Sequence, residues 1–215
     1  MPKTVRIVVM VSGGGSNLEA ILEAQEAGRL PGAEVALVIS SNAGAYALER
    51  ARNHHLETAV IERKAYAAEE AFQSAILERL IKARADVVCL AGYLKKIGPG
   101  IIRRFRGRIL NIHPALLPKF GGAGMYGHYV HEAVIASGDK ESGCSVHAVD
   151  EDFDHGPVLA QVKVPVLPGD SAGSLAARVL VEEHKLYPEA IKDFCQRLCL
   201  TPNPLPKGER AAKPG

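Results

Sequence analysis

Apolar, β-branched runs at residues 5–11, 34–40, 57–61, 86–91 and 108–112 are separated by stretches with helical periodicity, among them 17–27, 45–53 and 67–83. Alternation of this kind favours parallel pairing, because each crossover helix returns the chain to the same end of the sheet. Such crossovers are right-handed almost without exception, so the expected fold class is α/β with a doubly wound, mostly parallel sheet. After Ile112 the texture changes to a Pro- and Gly-rich loop over 114–127, a short helical segment, and two strand patterns at 142–149 and 157–166. These two runs are close enough to pair with each other, which predicts an antiparallel far edge. A last long helix begins near Ser171, with Asp170 or Ser171 as its N-cap. A single domain is expected over 1–200, followed by a flexible, proline-rich tail over 201–215.

Charge and composition exclude several classes of function. With 26 basic and 24 acidic residues, a net +2 and no Trp, the chain lacks both the electrostatic footprint and the stacking side chains of a nucleic-acid binder. The apolar run Val5–Val11 is far shorter than the roughly 20 residues a membrane-spanning helix needs, and no small-residue cleavage site follows it. Cys89, Cys144, Cys195 and Cys199 form no C-x-x-C pair and are too few for a disulfide framework. A cytoplasmic protein with neither membrane nor nucleic-acid partner is expected.

Two local patterns carry chemistry. The first is Ser12-Gly13-Gly14-Gly15-Ser16-Asn17, between a buried strand and a helix start, where glycines let backbone N–H groups turn toward an anion at the positive helix end. The plainer reading is a tight turn with Ser16 or Asn17 as an ordinary N-cap. No G-K-[ST] follows, the third glycine of the dinucleotide fingerprint is missing, and the second strand ends in Ser40-Ser41-Asn42 rather than in a ribose-binding acid. A mononucleotide phosphate therefore fits better than a dinucleotide. The second pattern is Asn111-Ile112-His113-Pro114 at the C-terminal end of a strand, the end where open α/β sheets bind ligands. Residues two apart on a strand share a face, so Asn111 and His113 project together. An amide donor beside a proton-carrying imidazole suits acyl transfer, which must hold the oxyanion of a tetrahedral intermediate. In the acidic loop after the sixth strand, Asp154 is the carboxylate best fixed by its neighbours; facing His113, it is expected to raise the imidazole pKa and favour a general acid. His128, His131 and Glu132 lack the H-E-x-x-H spacing, and no metal is expected.

These segments, in order over about residues 5–195, resemble the folate-dependent formyltransferases, and within them the branch acting on glycinamide ribonucleotide. The matching pieces are Ser12-Gly-Gly-Gly-Ser-Asn17-Leu, Leu90-Ala-Gly-Tyr93, Leu110-Asn-Ile-His-Pro-Ala-Leu-Leu-Pro118, Gly143-Cys-Ser-Val-His147, Asp154-His-Gly-Pro157 and Glu183-His-Lys-Leu-Tyr-Pro188. The resemblance implies a Rossmann-like formyltransferase fold and 10-formyltetrahydrofolate as co-substrate. It also implies Asn111, His113 and Asp154 as catalytic groups with His147 in support. Gly14, Gly15, Ser16, Asn17 and Glu183 would then meet the ribonucleotide. Leu94, Lys95, Lys96 and Ile97, with Asn111 and the segment Asp150, Glu151, Asp152, Phe153 and Asp154, would meet the folate.

On a helical wheel Glu183 falls in the inward stripe with Leu175, Val179, Leu186 and Ala190, which agrees with a buried substrate contact; the plainer reading is a structural salt bridge to a neighbouring Arg or Lys. Lys95-Lys96 and Glu69 depart from the family pattern, and the glycine-rich segment 119–131 suggests a mobile lid. Three alternatives share parts of this pattern. A formyltetrahydrofolate hydrolase carries an N-terminal regulatory domain, for which a first strand starting by Val5 leaves no room. A tRNA formyltransferase adds a C-terminal RNA-binding domain, not expected here. A non-enzymatic mononucleotide-binding module would keep the glycine loop without needing Asn111, His113 and Asp154 together. Monomer and homodimer both remain open.

Overall fold

The computed structural model describes residues 4–151 and 154–201. Seven strands form one sheet in the order β3-β2-β1-β4-β5-β6-β7. β1 (Val5–Val11), β2 (Ala33–Ser40), β3 (Thr58–Val60), β4 (Val87–Leu90) and β5 (Ile109–His113) are parallel; β6 (Glu141–Ala148) and β7 (Val158–Pro165) complete the sheet antiparallel, as the spacing of the last two runs predicts. From β3 the chain crosses over to pair β4 on the free side of β1, so the sheet changes winding direction between β1 and β4. The crevice outside the strand C-termini at that point is where this architecture places ligands.

β1 is apolar except for Arg6 near its start because both of its faces are covered. Val5, Ile7, Val9 and Val11 enter the core beneath α1 (Ser16–Glu26), α2 (Ala47–Asn53), α5 (His128–Ser137) and α6 (Ala172–Leu200). Val8 and Met10 pack with Phe72, Ile76 and Leu80 of α3 (Glu69–Lys82) and with Ile101 and Ile102 of α4 (Pro99–Arg104). α6 starts as expected: the Ser171 hydroxyl accepts from the Ser174 N–H and Ser174 reciprocates, a capping box. The proposed cap of α1 is corrected. Gly15 holds the N-cap position at φ 73°, with no side-chain cap, and Ser16 and Asn17 lie inside the first turn. A Cβ on Gly15 would lie 2.5 Å from Ala47 Cβ, so only glycine allows the loop to pass this close to α2.

α4 is the helix the sequence reading missed. At six residues it carries too little periodicity to register, although Pro99 at its start was a usable signal. The segment expected as a lid is also partly corrected, since His128 to His131 form the first turn of α5. The expected tail beyond Thr201 lies outside the described residues. Among the described residues no helix is long and apolar enough to cross a membrane.

Candidate active site

β5 and β6 set the centre of the site. In their antiparallel register Asn111 faces His147 and His113 faces Ser145, so all four side chains share one face. Asn111 Nδ2 lies 3.0 Å from His147 Nε2, and His147 Nδ1 lies 3.2 Å from the Ala148 carbonyl. His147 Nε2 serves one partner at a time: as a lone pair it accepts one Asn111 N–H, and as N–H it donates to Asp154 Oδ1, 3.3 Å away; in either state at least one Asn111 amide N–H is left for a ligand. The β6–β7 register shifts between Val146 and His147, a bulge of the kind that re-aims side chains beside functional sites.

Asp154 closes the group from the loop between β6 and β7. Its Oδ1 is 3.3 Å from His147 Nε2 and its Oδ2 is 3.6 Å from His113 Nδ1. The Gly122 N–H donates to Oδ2 at 3.0 Å, so the glycine-rich segment is tied to the carboxylate. Asp154 adopts φ 58°, a left-handed conformation that Asp tolerates better than most residues. A Cβ on the next glycine, Gly156, would lie 1.7 Å from the Ala148 carbonyl oxygen, so the turn after Asp154 requires glycine. Burial pushes the Asp154 carboxyl up, but hydrogen bonding to His147, the His113 charge and the Gly122 N–H outweigh it, and its pKa falls below the ordinary value.

His113 corrects the sequence expectation. It is 3% exposed, and burial drives its pKa below 6.5 against the opposing pull of Asp154 and the Phe120 carbonyl. Its Nε2–H donates to Phe120 O at 2.8 Å, which leaves Nδ1 as the lone-pair nitrogen facing Asp154. The resting group is a neutral imidazole beside a carboxylate, because desolvation outweighs the attraction of one anion at 3.6 Å.

The glycine loop lies across the crevice. Gly13 O accepts from Ala47 N at 3.1 Å, and Arg50 donates to Gly14 O at 3.0 Å while pairing with Glu19 at 2.8 Å. Asn17 Nδ2 donates to Glu183 Oε2 at 2.6 Å, joining α1 to α6. Glu183 is 8% exposed, and burial raises its pKa despite that bond. Asn17 Oδ1 is buried with no partner among the described residues, a free acceptor next to the loop. Ser12 links the strand ends: its hydroxyl meets Ser41 at 2.6 Å and accepts from Leu94 N at 2.9 Å.

The remaining expected contacts divide in two. Leu94, Lys95 and Lys96 are exposed along the segment after β4, as are Asp150 and Glu151, whereas the Ile97 side chain is buried in the α3–α4 core. Asp152 and Phe153 lie outside the described residues. Glu69 is held by Arg63 at 2.6 Å, so a cation does stand at that corner. Sequence reasoning named Ser12 without a role for its hydroxyl, and missed Arg50 and the Phe120 carbonyl. Arg50 reaches the loop from 36 positions away and Phe120 acts through its backbone, and neither leaves a local pattern.

An open, mostly parallel sheet with a glycine loop and a cluster of polar side chains beyond its strand C-termini defines a ligand-binding α/β protein of the doubly wound class. Comparison with known proteins narrows this. The formyl transferase family matches residues 5–191, and the chain belongs to that family. It is 44% identical to the chloroplastic phosphoribosylglycinamide formyltransferase of Vigna unguiculata over 89% of this chain, spanning 61% of that relative's length. It is 40% identical to the phosphoribosylglycinamide formyltransferase of Escherichia coli (strain K12), covering 88% of this chain and 87% of that one. Among solved structures, glycinamide ribonucleotide transformylase 1 from Symbiobacterium toebii superposes with a TM-score of 0.85 at 44% identity, over 90% of this chain and 88% of the other.

Proposed function

We infer that the chain is an enzyme of purine synthesis that transfers the formyl group of 10-formyltetrahydrofolate to the amine of glycinamide ribonucleotide. The observation that carries this reading is the convergence of Asn111, His113, His147 and Asp154 on one face of β5 and β6, within 3.6 Å of one another in sequence around the cluster. This convergence occurs in a chain 40% identical to an enzyme named for the reaction. The glycine loop supplies N–H groups for the ribonucleotide phosphate, and Glu183 and the free Asn17 Oδ1 supply acceptors for its amine-bearing end.

In the reaction the amine nitrogen bonds to the formyl carbon and the carbon–N10 bond of the folate breaks, while one proton passes from the amine to N10. The free Asn111 N–H stabilises the oxyanion of the tetrahedral intermediate. His113 accepts the amine proton at Nδ1 and delivers it to N10; Asp154 stabilises the transient imidazolium and His147 fixes Asp154 and Asn111. Nothing in this route requires a metal, and the site presents N–H donors and one carboxylate to the carbonyl.

Formyl transfer is the test. Wild type should convert glycinamide ribonucleotide and 10-formyltetrahydrofolate to product, and His113→Ala should lose about 10² to 10⁴ in kcat, the usual share of an acid–base group. Formate release without the ribonucleotide would indicate a hydrolase instead. A protein that binds the ribonucleotide but turns over neither substrate would be a binding module.

A further inference from the structure

A cavity of about 440 Å³ opens between the loop after β5, the turn after α5 and the start of β6. It includes none of Asn111, His113, His147 or Asp154, and its size falls within the range that accepts small molecules. Leu116 and Phe120, both half-buried, supply apolar surface. Ser142 also lines it; this residue is 2% exposed, and its hydroxyl is buried with no hydrogen-bond partner among the described residues. Leaving a hydroxyl unpaired is unfavourable, and a ligand atom reaching it would relieve that cost.

The charged lining fixes the sign of the ligand. Lys119 pairs with Asp139 at 2.8 Å and Glu141 pairs with Lys163 at 2.8 Å. Lys140 has no carboxylate within ion-pair distance among the described residues, so the lining offers one uncommitted positive charge. An anionic group at Lys140, an apolar body against Leu116 and Phe120, and a polar atom at Ser142 would satisfy the lining.

Phe120 connects this cavity to the chemistry. Its side chain lines the cavity, its carbonyl accepts the His113 Nε2–H at 2.8 Å, and its φ of 57° holds a bulky residue in the left-handed region. A conformation so rarely adopted by such a residue persists only where its surroundings hold it, so an occupant against the ring bears on the carbonyl that orients His113. We propose that this cavity is a second ligand site, for a small monoanion with an apolar body and a distal polar group, and that its occupancy reaches His113 through Phe120.

4-Hydroxybenzoate has this chemistry and serves as the probe. Titrated to about 20 mM against the 15N-labelled full chain, it should give saturable amide shifts at 116–120 and 139–142 and a shift of the His113 ring resonances. Lys140→Glu and Ser142→Ala should each weaken binding by about tenfold, the loss of one good polar contact. Ser142→Ala removes only an unpaired hydroxyl and so provides a folded control. The proposal is overturned by linear, non-saturating shifts, by unchanged affinity in both variants, or by shifts confined to the Asn111 cleft. Saturable binding that leaves His113 unmoved overturns the link through Phe120. All of these readouts are made without either substrate, so they stand or fall separately from the formyl-transfer reading.

Discussion

His113 and His54 both sit beside carboxylates, and their surroundings drive them in opposite directions. His54 lies between Glu19 at 3.1 Å and Glu26 at 2.6 Å, and the hydrogen bond to Glu19 does most to raise its pKa above 6.5. For His113 burial is the largest influence, and its pKa falls below 6.5. In an NMR titration the His54 midpoint should therefore lie above 6.5 and the His113 midpoint below it. A His113 midpoint above 6.5 would restore the imidazolium that the sequence suggested. The linkage to stability follows with opposite signs. The His54 contribution is fully present below 6.5 and is lost as pH rises through its folded pKa; the His113 penalty is absent above 6.5 and grows as pH falls toward its folded pKa. The Asn-x-His spacing on a strand was legible in the sequence because side chains two apart must share a face. Its protonation state was not, because burial depends on the loop packed over the ring.

At the scale of elements, Gly15 decides how closely the glycine loop approaches α2. Alanine there would carry φ 73° and place its Cβ 2.5 Å from Ala47 Cβ and 2.8 Å from Ala47 Cα, so the loop and α2 must separate. The contacts at risk are Ala47 N to Gly13 O and Arg50 to Gly14 O. Gly15→Ala should raise KM for glycinamide ribonucleotide by tenfold or more, about 1.4 kcal/mol of lost binding, while kcat at saturation changes much less. It should also lower the unfolding free energy measured in urea by the cost of a left-handed alanine, about 1 to 2 kcal/mol. A unchanged KM would remove the loop from substrate binding. All seven strands lie where their runs predict, within a residue or two at each end, most plainly the parallel β1 and β4, which are buried along both faces. The cap of α1 was misread for a physical reason. Ser16 and Asn17 look like caps, but the close approach to α2 puts the left-handed residue at Gly15, which moves the helix start forward and frees Asn17 to reach Glu183.

For the whole molecule, α6 holds the two halves of the site in register. Glu183 reaches Asn17 on α1, and one turn later the fully buried Tyr187 hydroxyl lies 3.0 Å from the carbonyl oxygens of both Leu90, the last residue of β4, and Leu110, within β5. Those strands lead directly to Leu94 and to Asn111 and His113, so one phenol fixes the spacing between the segments expected to hold folate and to carry out transfer. The helical wheel places Glu183 on the inward face, but bonds spanning 97 and 77 positions follow from sheet order and leave no trace in local periodicity. Tyr187→Phe keeps the ring and deletes the one O–H that the two carbonyls share. Urea unfolding should then show a loss of about 1 to 3 kcal/mol. If α6 also sets the register of the site, kcat should fall while KM for the ribonucleotide, which the proposed function assigns to α1 and Glu183, stays near the wild-type value. Loss of stability with kcat intact would instead confine Tyr187 to holding the fold, and the spacing of β4 and β5 would have to be set by the sheet alone.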